Sequence, residues 1–193
     1  GSWYDQTLES EAAEALIKTH KCVLVSQHAD SMGAPAMCEQ NGIPNVSYNG
    51  STVSACPNTF LVSSRIDWAP YFKLAINAIA EGKAFDTDWT GTMETGSVVL
   101  TDLNDKAVAA GTAEKLAEVK KALQDGSLHV FDTSKYTVGG SAQTSYKADV
   151  DSDADYTPDT EVIKDGFFSE SEFRSAPYFD VRIDGIELIN EKY

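Results

Sequence analysis

The stretch Cys22-Val-Leu-Val-Ser-Gln-His-Ala-Asp-Ser31 constrains the fold more than any other. From Cys22 to Val25 it is an unbroken apolar run, the pattern of a strand buried on both faces by helices. From Ser26 it turns polar at once, through Gln27, His28, Asp30 and Ser31. In an open α/β sheet, ligands bind beyond the carboxyl ends of parallel strands. Gln27 to Ser31 is therefore either the start of a site or a polar turn in which Asp30 or Ser31 caps the next helix.

The flanking sequence places that strand in a repeating pattern. Thr7 to His20 predicts a helix, capped by Asp5 or Thr7, with Leu8, Ala12, Ala15, Leu16 and Ile17 as its apolar face and a Glu14–Lys18 pair opposite. A short helix over Met32–Gln40 stops at Asn41-Gly42, and strands follow over Ile43–Tyr48 and Thr59–Arg65. Asp67 is placed to cap a helix from Trp68 to about Ala80, with Pro70 tolerated in its first turn. Trp68, Tyr71, Phe72, Leu74, Ile76 and Ile79 make that helix apolar nearly all round, so it needs cover on more than one side. Helix and strand alternating through short connections imply a parallel sheet with right-handed crossovers.

Further on, Ser97–Leu100 predicts a strand. Thr112–Gln124 predicts a helix with Leu116, Val119 and Leu123 on one face, and Leu128–Phe131 a short strand. The character changes after Thr133. Asp149, Asp151, Asp153 and Asp155 alternate like the start of a calcium loop, but Ala154 and Thr160 stand where an EF-hand needs Gly and Glu, so a solvated acidic loop is expected. Gly166–Phe173 predicts a helical turn, and Phe179–Ile186 a final hairpin with Asp184-Gly185 at its tip. The expected organisation is an α/β lobe over 1–140 and an acidic loop with a C-terminal extension over 141–193.

Charge narrows the function. A chain of 193 residues has room for one domain with a real core, or one lobe and an appendage. Its net charge of −15 argues against nucleic acid or an anionic membrane surface as a direct partner, since phosphates must be neutralised by Lys and Arg. No apolar run approaches the roughly 20 residues of a membrane span. No leader peptide opens the sequence; it enters at once into Trp3-Tyr4-Asp5, as a trimmed chain would. Cys22, Cys38 and Cys56 match no zinc spacing. They are buried thiols or, in an exported protein, one disulfide and an odd thiol, with Cys38–Cys56 the first pair to test.

Four segments end in aromatic or polar groups where parallel strands would share an edge, and they supply Trp3, His28, Asp30, Tyr48, Asn49, Asp67 and Trp68. Singly, each has an ordinary structural role available. Together they suit a flat heterocycle that stacks on indole and donates hydrogen bonds to carboxylates. An enzyme would need a nucleophile, a base and an orienting group, or a metal set. Ser26, His28 and Asp30 lie too close in one turn to form a triad, and no Gly-x-Ser-x-Gly elbow is present. The expectation is a binding module with no catalytic residues, metal or cofactor.

Gly1-Ser2-Trp3-Tyr4-Asp5, Glu11-Ala12-Ala13-Glu14-Ala15-Leu16-Ile17, Ser26-Gln27-His28-Ala29-Asp30-Ser31 and Asp67-Trp68-Ala69-Pro70-Tyr71-Phe72 together resemble the basic membrane protein (BMP) family, the PnrA-like substrate-binding lipoproteins of ABC transporters. The likeness runs in the family's order from Gly1 to about Phe131. It implies a type I periplasmic-binding-protein fold of two α/β lobes with a ligand between them. In that frame the N-terminal half is missing and the chain begins within the second lobe. Thr59–Arg65 becomes a hinge strand, and the 68–80 helix packs on the missing first lobe. The family's ligands are purine nucleosides, nucleobases such as adenine and, in one member, riboflavin. Its partners are a small-molecule ligand and a transporter permease, and its place is extracytoplasmic, as an anchored lipoprotein or in the periplasm. Where relatives carry Gly-Leu-Lys or Gly-Met-Lys, this chain has Gly91-Thr92-Met93-Glu94. The absence of that lysine favours a base over a nucleoside. Alternatives are the effector-binding domain of a transcription regulator and, further off, a small-molecule hydrolase.

Overall fold

The computed structural model describes residues 3–151, 153–170, 172–173, 178 and 180–189. The chain divides into two compact units, Gly1–Glu118 and Val119–Tyr193, with the division inside a helix rather than after residue 140. Among the described residues no helix is long and apolar enough to cross a membrane.

The first unit contains α1 (Gln6–Glu14), β1 (Val25–Ser26), α2 (Gly33–Asn41), β2 (Asn45–Tyr48), β3 (Phe60–Ile66), α3 (Ala69–Ala80) and β4 (Val98–Leu100). Its sheet has the order β1-β2-β3-β4. β1, β2 and β3 run parallel, and β4 runs antiparallel to β3. Asp5 caps α1 by accepting from the N–H groups of Thr7 and Leu8 at 3.1 and 3.0 Å. A π-helical turn over Ala15–Thr19 ends that helix. Gly42, at φ 66°, ends α2 in the left-handed conformation that glycine adopts without strain.

α2 is the buried helix of this unit, with Gly33, Ala34, Pro35 and Cys38 inside. Its start lies against α1 so closely that a Cβ on Gly33 would sit 2.4 Å from the carbonyl oxygen of Gln6 and 2.9 Å from Ser10 Oγ. That approach fixes which face of α1 is covered. Ala13 is buried, while Leu8 and Ala12 are exposed, so the expected apolar face is not the packed one. The apolar run before β1 is also corrected. Val25 is buried, but Val23 is 79% and Leu24 51% exposed. β1 is the outermost strand and has a neighbour on one side only, so its leading residues lie outside the ladder. Cys38 and Cys56 are fully buried and all three thiols are free. Burial, and then the nearby Cys56, pushes the Cys38 thiol up to about 11.

α4 (Thr112–Gln124) begins in the first unit, and its range is the expected one. In the second unit β5 (Lys147–Ala148) pairs with β6 (Thr160–Glu161), and β7 (Ile163–Lys164) with β8 (Phe167–Phe168), both antiparallel. Ala148, Val162, Ile163, Phe168 and Tyr178 form its core, with Phe131, Tyr146 and Val150 packed against it. Leu128–Phe131 forms no strand. The Phe131 carbonyl accepts from Phe168 N at 2.9 Å, and the His129 ring stacks on Phe167 at 3.6 Å.

The hairpin of this unit lies earlier than expected. Its tip is Asp165-Gly166, both at positive φ, and it is flanked by apolar residues that reach the core. Phe167 and Phe168 are thus strand, not helical turn; Ser171 lies outside the described residues. Asp184-Gly185 is a turn without flanking strands, and Phe179 lies outside the described residues. The Asp184 carboxylate instead accepts from Thr137 Oγ1 and from the N–H groups of Gly139 and Gly140, at 2.5, 3.1 and 2.8 Å. In the acidic loop, Asp151 accepts from the Asp153 N–H and Asp153 from that of Asp155. Among the described residues no cluster of three or more His, Cys, Asp or Glu is placed to hold a metal ion.

Candidate functional site

The register of the sheet brings the predicted residues to one edge. Ser26 lies opposite Val46, which sets His28 level with Tyr48. The two rings stack with centroids 4.9 Å apart and 18° between planes. Tyr48 lies opposite Ser64, and the Asn49 N–H donates to the Ser64 carbonyl at 2.6 Å. Asn49 is in the left-handed conformation at φ 64°, which turns the chain away from the sheet directly after β2. Asp67 and Trp68 follow the end of β3 on the same edge. With neighbouring strands about 4.8 Å apart, the groups after β1 and those after β3 are separated by roughly 10 Å, about the width of a fused heterocycle and its substituents.

Trp3 reaches this edge through the backbone. Its carbonyl accepts from the Asp30 N–H at 2.8 Å, so the segment before α1 and the loop after β1 are joined at the two residues singled out from the sequence. Trp3 is 79% and Trp68 58% exposed. The Trp68 ring lies against Tyr71 and Phe72, and Tyr71 in turn contacts Phe85 and Trp89.

The two carboxylates differ. Asp67 Oδ1 accepts from the Ala69 N–H at 2.9 Å, and Oδ2 meets Arg65 Nη2 at 3.2 Å. The Ala69 N–H first, and then the Arg65 guanidinium, hold its carboxyl below the usual carboxylate range. Asp67 therefore starts the turn into α3 from one residue before the position a cap occupies. The Asp30 side chain is exposed and has no hydrogen bond or ion pair with a described residue.

Three further groups at this edge were not predicted as site residues. Gln27 Oε1 is buried without a hydrogen-bond partner among the described residues, and so is Ser97 Oγ. Ser97 precedes β4, and its carbonyl accepts from the Asp67 N–H at 2.8 Å. Glu9, one turn into α1, accepts from the Asp5 N–H at 2.9 Å and from the Ser31 N–H at 3.2 Å. Gln27 lies in the stretch where the sequence turns polar after β1; no local pattern marks Glu9 or Ser97, which are tied to this edge by contacts between distant segments. The first unit also has an open groove of about 730 Å³ lined by Val53, Phe60, Arg65, Leu100, Leu103 and Lys106, among others. It includes none of the seven predicted residues.

No family model matches the chain. It is 28% identical over 132 residues to a purine-binding protein of Brucella abortus, covering 67% of this chain and 36% of that protein. It is 26% identical over 136 residues to a protein of Haloferax volcanii named as a glucose-binding protein of an ABC transporter, covering 70% and 34%. Among solved structures, an ABC transporter solute-binding protein from Conexibacter woesei superimposes with a TM-score of 0.54 at 18% identity, over 66% of this chain and 43% of that one. The chain thus spans about a third of the length of the curated relatives it matches. Its fold is part of a periplasmic-binding-protein fold, an α/β lobe on a mainly parallel sheet. Each of these proteins is named for what it binds or transports, none for a reaction.

Proposed function

We propose that this chain is a lobe of the substrate-binding component of an ABC importer, and that its sheet edge binds a purine nucleobase or nucleoside. One observation carries the proposal: the carboxyl ends of three adjacent parallel strands converge with a stacked His28–Tyr48 pair, an exposed indole at either side and the exposed carboxylate of Asp30. A purine offers a flat face to the indoles and N–H donors to an acceptor. Asp30 is the acceptor in this arrangement; Asp67 holds the β3–α3 turn and presents only its remaining lone pairs. Tyr48, His28 and Asn49 complete the wall. The purine-binding relative supports this ligand class. The resemblance to the BMP family agrees with it and adds a lipoprotein or periplasmic location, a permease partner and a second lobe that closes the cleft and covers α3.

A sugar is the second reading, favoured by the name of the Haloferax relative. Indole faces stack on sugar rings as well as on bases, so the two ligands are separated by titration. The intact protein is titrated by calorimetry and thermal shift with adenine, hypoxanthine, adenosine, guanosine, riboflavin and glucose. A ligand that binds the folded state raises the melting temperature with dose. A response to bases or nucleosides supports the proposal, a response to glucose alone replaces it, and silence from all six removes it. With a ligand in hand, Trp3→Ala and Trp68→Ala should each weaken binding more than folding. Unchanged affinity in both variants would remove the indoles from the site.

A further inference from the structure

We propose that Glu9 is a positioning residue for this site, a clasp that sets the loop after β1 in its binding geometry. The inference rests on the ligand-binding role of the sheet edge proposed above. It starts from donor and acceptor chemistry. The Glu9 carboxylate faces two backbone donors: Oε1 takes the Asp5 N–H and Oε2 the Ser31 N–H. Asp5 begins α1, and Ser31, 1% exposed, closes the loop that carries His28 and Asp30. One side chain thus ties together two segments 26 positions apart (31 − 5). Both neighbours of the clasp bear on the site. The Trp3 carbonyl takes the Asp30 N–H on one side, and Ser31 Oγ takes the Gly33 N–H at 3.1 Å on the other. Gly33 in turn lies against Gln6 and Ser10, which fixes the start of α2. The loop from Gln27 to Gly33 is held at each point where it meets α1 or the segment before it, and Glu9 makes the middle attachment.

Only a carboxylate can make this clasp. Both partners are donors, so both side-chain atoms must accept. Glutamine keeps the shape but puts an NH2 group against one N–H, leaving a donor unpaired and two donors face to face. Aspartate keeps the charge but is one methylene shorter. The clasp touches no ligand, so its loss changes the placing of Trp3, His28 and Asp30 rather than removing a contact.

The test compares the intact wild-type protein with Glu9→Gln and with a control, Glu14→Gln. Glu14 lies on the same helix and makes only an exposed pair with Lys18. Binding of adenine and adenosine is measured by calorimetry. In parallel, hydrogen exchange of the Asp5 and Ser31 amides is followed by NMR. In the wild type both amides should exchange slowly, and at least one should exchange faster in Glu9→Gln, while Glu14→Gln leaves both unchanged. Affinity should fall about tenfold, the size expected for one buried donor left unpaired, while Glu14→Gln binds as the wild type does. If the wild type binds and Glu9→Gln binds equally well, the positioning role is overturned. The same follows if neither amide exchanges faster in Glu9→Gln. If the wild type binds neither probe, the ligand assignment fails, and exchange of the two amides separately decides whether the clasp exists.

Discussion

α2 and α3 invert the usual relation between composition and burial. α2, Gly-Ala-Pro-Ala-Met-Cys-Glu-Gln-Asn, has almost no sided apolar character, yet it buries Gly33, Ala34, Pro35 and Cys38. α3 carries Phe72, Leu74, Ile76 and Ile79 and buries no residue. Its Phe72, Ile76 and Ile79 are 56%, 64% and 68% exposed. Small residues let α2 approach α1 to backbone contact, and that closeness, more than apolar area, is what burial requires there. α3 has the area without the neighbour. An apolar face of this extent is the surface the proposed second lobe would cover.

The largest effect should come from the close approach itself. Gly33→Val puts a branched Cβ 2.4 Å from the Gln6 carbonyl oxygen and should lower stability by about 1–3 kcal/mol, as overpacking does. Denaturant unfolding measures it, and a midpoint equal to the wild type's would show that the α1–α2 contact is looser than described. A smaller effect should come from Glu39, at the end of α2. Its carboxylate accepts from Asn58 N, Asn58 Nδ2 and Thr59 Oγ1. Desolvation raises its carboxyl, but the bonds from Thr59 and Asn58 outweigh it and hold the net value below the usual range. A carboxyl depressed in the folded state stabilises above its unfolded pKa, about 4.3 for Glu, and loses that contribution as pH falls through the folded value. The stability gap between wild type and Glu39→Gln should therefore be full at neutral pH and close in acid. A gap that stays constant with pH would assign it to packing. The smallest effect should be on α3. Ile76→Ser in the isolated chain should change stability by no more than about 0.5 kcal/mol. The same substitution in the intact protein should cost clearly more where another lobe covers the helix, and equal effects in both would mean that nothing does.

What could be read from the sequence divides along the same line. Elements set by local chemistry were legible: α4 to its ends, α2 from its Asn41-Gly42 stop, and the parallel order of β1, β2 and β3 from short connections. Burial was not. Val23 and Leu24 look like core in sequence and are exposed, because burial depends on a neighbour beyond β1. Asp-Gly occurs at 165–166 and again at 184–185, and the sequence favoured the second. The hairpin forms at the first because Ile163 and Phe168 there enter the core. At the sheet edge, the switch from apolar to polar after β1 marked where His28 and Asp30 lie. The contact of Glu9 was invisible, since its partner Ser31 lies 22 positions away.

The reversal of β4 has a consequence for how such an edge can diversify. Three parallel strands deliver only their ends to it, and the ends of β1 and β2 each lead into a crossover to the next parallel strand, whose length the sheet constrains. An antiparallel strand delivers its beginning. The turn before it, where Thr92 and Thr95 bond each other's backbone N–H groups at 2.8 and 3.2 Å, closes on itself. Residues can be gained, lost or exchanged in that turn while Ile66 stays opposite Val98. The sheet therefore has one tunable lip, at the start of β4, beside the two that crossovers hold.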